Sequence, residues 1–224
     1  MIARLKKYKF TVVATDVVIF TIQNNQLKVL LMKMKKKPFL KYWAVPGGLV
    51  KPNESVEKGA KRQLYLKTGL KNVYLEQLYT FGKINRDPFG RVVSVVYFAL
   101  IPLDSVKLKS KTKEPGVAWF SVKKLPKLAY DHTEVIGTAI NRLKSKLGYT
   151  NIVYSLLPRE FTLSELQNIY EIILDRGLDK RNFRKKILAL GVVKQLHKKE
   201  KGIPHRPAEL YSFLKREPRI VEIL

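Results

Sequence analysis

The apolar positions of this chain fall into short β-type runs broken by polar turns, with two stretches of helical spacing set among them. Thr11–Ile22 is β-branched and aromatic and reads as a strand. Gln23-Asn-Asn-Gln26 supplies turn chemistry, because Asn tolerates positive φ, and Leu27–Met34 is the returning strand of a hairpin. The basic run Lys33–Lys37 before Pro38 is expected as a solvated loop. In Trp43-Ala-Val-Pro-Gly-Gly-Leu-Val50 the paired glycine lets backbone pass close to a neighbour. Glu54–Lys67 carries Val56, Ala60 and Leu64 at helical spacing, and Gly69 ends it. Val73–Phe81 and Arg91–Ile101 are strand-like, joined by Gly82–Gly90, and a charged loop follows over Ser105–Pro115. Val117–Val122 is a last short strand. His132–Lys146 is a helix with Val135, Ile136, Ala139, Ile140 and Leu143 as its apolar stripe. This order is α/β or α+β, a mixed sheet with packed helices, and it contains no internal repeat.

The texture changes after Gly148. Thr162-Leu-Ser-Glu165 is a capping box opening a helix that buries Leu166, Ile169, Tyr170 and Ile173. Gly177-Leu178 is the turn, and Asp179 caps a second helix running to about Ala189. Val192–Gln195 and Glu209–Phe213 flank a basic loop. Helix, tight turn, helix and two strands about a basic loop is the order of a winged helix-turn-helix. Two domains are therefore expected, residues 1–148 and 149–224.

Composition adds charge to this picture. Lys and Arg number 44 against 18 Asp and Glu, a net +26 that attracts polyanions through counterion release. Residues 1–148 hold +20 of it and 149–224 hold +6, so the excess is not confined to the helix-turn-helix segment. Cysteine is absent, which excludes disulfides and thiolate metal sites. No apolar run reaches the roughly 18 residues of a membrane span, and the basic start has no signal-peptide core, so a cytoplasmic protein without membrane contact is expected.

Gly48 to Leu70 has Gly48, Glu54, Arg62, Leu64, Gly69 and Leu70 at the intervals of the Nudix box, and it resembles that motif. The resemblance implies a Nudix-like N-terminal domain. In active members a carboxylate cluster on the box helix holds divalent metal ions; those positions are Gln63, Leu66 and Lys67 here. Leu offers no ligand and Lys repels a cation, so a non-catalytic domain is expected, with no metal and no cofactor. Glu54 and Glu57 are remnants, and Arg62 is expected as a salt-bridge partner of a neighbouring carboxylate.

Leu156–Gln167, Tyr170-Glu171 and Leu178–Leu188, with Asn85–Pro88, Arg91–Val96, Trp119, Leu125-Pro126 and Asp131-His132, are similar to the Nudix-related transcriptional regulators. These fuse a degenerate Nudix domain to a winged helix. The resemblance implies a bacterial, homodimeric repressor or activator reading a palindromic operator on double-stranded DNA. It also implies a small-molecule effector, commonly ADP-ribose in regulators of NAD metabolism, with sugars in some relatives.

On the second helix Lys180, Arg181, Arg184 and Lys185 share a face opposite Phe183, Ile187 and Leu190, although Leu188 projects toward the basic side. Together with Asn182 they are the candidate major-groove readers. Lys198, Lys199, Lys201 and Arg206 are candidate wing contacts to phosphate or the minor groove. His197 and His205 are surface residues on this reading. For the effector pocket the candidates are Trp43, Phe81, Arg86, Arg91 and His132: aromatics to stack on a base, arginines to hold a diphosphate in bidentate fashion. Trp43 and Phe81 are equally suited to a core. Two other functions stay open, a Nudix hydrolase of a nucleoside diphosphate derivative such as ADP-ribose, and a nonspecific nucleic-acid binder.

Overall fold

The computed structural model describes residues 10–71, 73–102, 116–200, 207–221 and 223. The charged loop expected at Ser105–Pro115 lies outside them, as do wing candidates Lys201 and Arg206. The described residues form two compact units, 1–21 with 28–140 and 22–27 with 141–224. That division falls inside a helix and gives the hairpin tip to the second unit, unlike a boundary at Gly148.

The first unit is built on a mixed sheet. Among the described residues it has seven strands: β1 (Val12–Gln23), β2 (Gln26–Lys33), β3 (Trp43–Ala44), β4 (Gly47–Leu49), β5 (Glu76–Phe81), β6 (Val92–Leu100) and β7 (Val117–Ser121). The main path runs β3-β2-β1-β6-β5, with β4 on β1 and β7 on β2. β1 lies at its centre, parallel to β6 and antiparallel to β4. Val17, Val18, Ile19 and Phe20 are all fully buried, because β1 is covered on both faces. The β1–β2 turn carries Asn24 and Asn25 at φ 52° and 57°, the left-handed pair that a two-residue hairpin needs.

Helix α1 (Val56–Thr68) starts at Ser55, whose hydroxyl accepts from the Lys58 amide, and ends at Gly69 with φ 75°. Gly69 is required there, since a Cβ is costly in the left-handed region. Ala60 and Leu64 bury against Val17, Ile19, Leu30 and Tyr97, so the expected stripe faces the sheet. Helix α2 (His132–Tyr149) buries Val135, Ile136, Ala139 and Leu143 completely and runs three residues past the expected end at Lys146.

The second unit is a winged helix. Helix α3 (Leu163–Leu174) opens on a complete capping box between Thr162 and Glu165, and α4 (Lys180–Ala189) on Asp179, whose side chain accepts from the Asn182 amide at 2.8 Å. Its sheet has the order β8 (Phe161–Thr162), β10 (Glu209–Phe213), β9 (Val193–Lys199). Strands β3, β4 and β8 are too short for periodicity to reveal. Val73–Leu75, expected as strand, precedes β5 without joining it.

Candidate functional site

One carboxylate inside the apolar run of β1 organises the first unit. Asp16 is 7% exposed and accepts a hydrogen bond from the Ser94 hydroxyl of β6 at 2.6 Å. Arg86, equally buried, places Nη2 3.5 Å from Asp16 and grips Asp131 through Nε and Nη2, both at 2.8 Å. His132, at the start of α2, accepts at Nδ1 from the Val45 amide (3.1 Å), which leaves Nε2 to carry the proton 3.9 Å from Asp16. Buried charges persist only when paired this way.

Asp16, Arg86 and His132 of this network form the floor of a cavity of about 340 Å³, lined also by Gly47, Gly48, Lys67, Asp87, Phe89 and Tyr130. Gly47 passes so close to Asp16 and the Thr15 carbonyl that a Cβ would overlap them, and Gly48 lies against the Gln63 amide in the same way. The paired glycine therefore makes the expected close approach. A second hollow of about 500 Å³ shares Arg86 and Tyr130 with it, and is lined also by Asp131 and Phe39. Phe39 and Tyr130 lie with ring centres 4.4 Å apart, so an aromatic surface adjoins a polar floor.

The box residues have separate fates. Arg62 donates to Glu54 (Nε, 2.8 Å) and to the Leu49 carbonyl (3.0 Å), which makes it the structural salt-bridge partner expected. That pairing, with the Lys51 amide, holds the Glu54 carboxyl down to about 2. Glu57 pairs with Lys61 on the exposed side of α1. Gln63 is buried, Leu66 is 57% exposed, and Lys67 reaches the cavity. An amide, an outward leucine and an ammonium do not fit a divalent cation, which needs several anionic or carbonyl oxygens. Among the described residues no three His, Asp or Glu side chains gather as a metal cage.

The second unit presents a basic helix face. Lys180, Arg181, Asn182 and Lys185 of α4 are exposed, whereas Phe183 and Ile187 are buried, Phe183 against Tyr170 with ring centres 5.2 Å apart. Leu188 is 48% exposed on the basic side, as its spacing indicates. Arg184 is partly covered, and its Nη2 donates to Ser164 of α3 at 2.8 Å, so part of its donor set links the two helices. Lys198 and Lys199 are exposed in β9 and lie near Glu160 (2.8 Å) and Glu209 (3.8 Å).

Comparison with known proteins meets this geometry at both ends. Residues 13–139 match the NUDIX domain family, and residues 153–213 match the NrtR DNA-binding winged helix domain. The ADPR responsive transcriptional repressor NtrR of Acinetobacter baylyi is 38% identical over 96% of this chain and 89% of its own length. The chain belongs to the NrtR family. The crystal structure of Shewanella oneidensis NrtR complexed with a 27mer DNA matches with TM-score 0.80 and 33% identity, covering 91% of this chain and 94% of that one. The NUDIX domain of the same Shewanella protein, solved with ADP ribose, matches at 36% identity and TM-score 0.53, covering 62% of this chain and 92% of that one.

Within this family frame the expected effector residues divide. Arg86 and His132 line the cavity, and Arg86 turns its fork to Asp131. Trp43, Phe81 and Arg91 line neither hollow. Trp43 packs edge-on to Phe120 (4.6 Å), Phe81 is buried beside Tyr79, and Arg91 donates to the Gly82 carbonyl at 2.6 Å, tying the end of β5 to the start of β6. Asp16, Asp131, Tyr130 and Phe39 were missing from the expected set. Asp16 had a signal, a lone carboxylate in a strand of buried type.

Burial holds the His132 imidazole below its ordinary value, against the opposing pull of Asp16 and Asp131. A lowered folded-state value means the stabilisation is complete above the unfolded value of about 6.5 and is lost as pH falls below it. Urea midpoints should therefore drop from about pH 7.5 to about 5.5, and His132→Gln should flatten that drop. An unchanged slope in the variant would show that His132 is not the group responsible. Trp fluorescence suits the measurement, because Trp43 and Trp119 both lie in the first unit.

Proposed function

We propose that this chain is an effector-responsive, sequence-specific transcriptional regulator. On this reading residues 149–224 bind a palindromic operator as part of a homodimer, through α4 and the wing. Residues 1–148 take up ADP-ribose or a closely related nucleotide without hydrolysing it, and occupancy changes operator affinity. The observation that carries the reading is the solvent-facing basic surface of α4 in a chain that aligns over 91% of its length with a relative solved on DNA. The cavity supports the effector half, since it sets an aromatic surface beside polar groups in the domain whose counterpart was solved with ADP ribose. The absence of hydrolysis follows from Gln63, Leu66 and Lys67, which cannot hold the metal ions that activate water in Nudix catalysis.

Selection from random duplexes with the full chain tests it. A two-fold symmetric site should be enriched, with half-sites about one helical turn or a multiple apart. Adding ADP-ribose should change affinity for that site, and incubation with Mg²⁺ should leave ADP-ribose intact. Equal affinity for selected and random duplexes would instead mark a nonspecific binder. Turnover abolished by Glu54→Gln would mark a hydrolase.

A further inference from the structure

Of the lysine and arginine side chains lining the 340 Å³ cavity, Arg86 is committed to Asp131 and Asp16. The other is Lys67. It is half-buried in the last turn of α1, and among the described residues its ammonium has neither a salt bridge nor a hydrogen bond. An ammonium partly withdrawn from water without a counter-ion is unfavourable unless a ligand supplies one. Its position follows from helix geometry. Gln63 and Lys67 are four residues apart and share a face, and Gln63 is pressed against Gly48, so Lys67 emerges one turn further on, at the cavity.

We propose that Lys67 is a resident cation standing in for the divalent metal of the Nudix site, and that it binds the diphosphate of the effector directly. The proposal rests on the effector reading above and specifies its chemistry. A nucleoside diphosphate derivative brings two negative charges into a cavity whose carboxylates, Asp16 and Asp87, would repel it. In a metal-dependent site bound cations neutralise that charge. Here the pocket offers no such ligand set, and a single ammonium donates to phosphate oxygens through charge-assisted hydrogen bonds. Binding is consequently metal-independent, and without activated water the diphosphate is held and not cleaved.

Calorimetric titration of the full chain with ADP-ribose in EDTA tests this. The wild type should bind equally well in EDTA and in Mg²⁺. Lys67→Met should weaken ADP-ribose about tenfold to a hundredfold, the range for losing a charge-assisted hydrogen bond, yet leave the weaker binding of adenosine unchanged. Lys67→Arg should retain most of the affinity. Lys67→Glu should lose binding in EDTA and recover part of it in Mg²⁺, and a variant that stays metal-insensitive would speak against the position. Unfolding followed by Trp fluorescence verifies that each variant is folded. Wild-type binding that requires Mg²⁺, or an unaffected Lys67→Met, would overturn the role of Lys67 while leaving the effector reading intact. No binding of ADP-ribose by the folded wild type would overturn both.

Discussion

Replacing Arg86 by Leu should lower the unfolding free energy of this protein by about 3–5 kcal/mol, the usual cost of removing one partner from a buried ion pair. Arg86 is 3% exposed at its side chain, and its partners Asp131 and Asp16 are 11% and 10% exposed. Deleting the guanidinium leaves two carboxylates within one desolvated space, where neither can be rehydrated without opening the cavity floor. The Ser94 hydroxyl still satisfies part of Asp16, but Asp131 loses both of its 2.8 Å bonds. Adding Asp131→Asn to Arg86→Leu should restore part of the loss, because a neutral amide is cheaper to bury than a carboxylate. Arg86→Lys should fall between, since an ammonium cannot reproduce the fork. Urea unfolding read by Trp fluorescence measures all three. A loss under about 1 kcal/mol for Arg86→Leu would show that water reaches the pair and screens it as it does a surface bridge. The same variant should also lose effector affinity, because Arg86 lines both hollows; the stability reading separates that loss from simple removal of a contact.

Arg181→Ala should weaken operator binding by about tenfold to a hundredfold if the side chain reads a base edge, and relax the sequence preference at that one position. Arg181 is exposed at the start of α4, the end of a recognition helix that meets the bases. Lys180→Ala and Lys185→Ala should act differently. A lysine on phosphate lowers affinity for all duplexes alike and reduces the salt slope by about one. Arg184→Ala should combine a weaker DNA effect with some loss of stability, because Arg184 also donates to Ser164 across the two helices. Fluorescence anisotropy at several salt concentrations, on the selected site and a scrambled one, distinguishes these outcomes. Unchanged affinity for Arg181→Ala and Arg184→Ala together would remove α4 from the interface.

The two predictions draw on different kinds of legibility. The face of α4 was readable because a helix sorts its residues by local spacing: Phe183 and Ile187 inward, Lys180, Arg181 and Lys185 outward. Caps were readable for the same reason, as Thr162 and Glu165 meet within one turn. The pocket was not readable in this way. Arg86 matched the expectation of a diphosphate-binding arginine in residue type, but its partner Asp131 is 45 residues away. Trp43 has the aromatic surface a base would stack on, yet its register on β2 turns it toward Phe120. Tyr130 and Phe39, which do form an aromatic wall, come from loops with no periodicity to mark them.

What the sequence determined alone was whatever depends on neighbours a few residues apart: the helices and the longer strands in order, the capping box, the spacing of the Nudix box with Gln63, Leu66 and Lys67 in it, and the basic face of α4. The tertiary structure decided which charges are already neutralised and which remain for a ligand. Arg86 and Lys67 are both cations on a cavity wall. The packing of β1, β6 and the start of α2 around Asp16 brings two carboxylates to Arg86, and among the described residues none is paired with Lys67. Charge neutralisation depends on three-dimensional distance, which sequence separation does not encode.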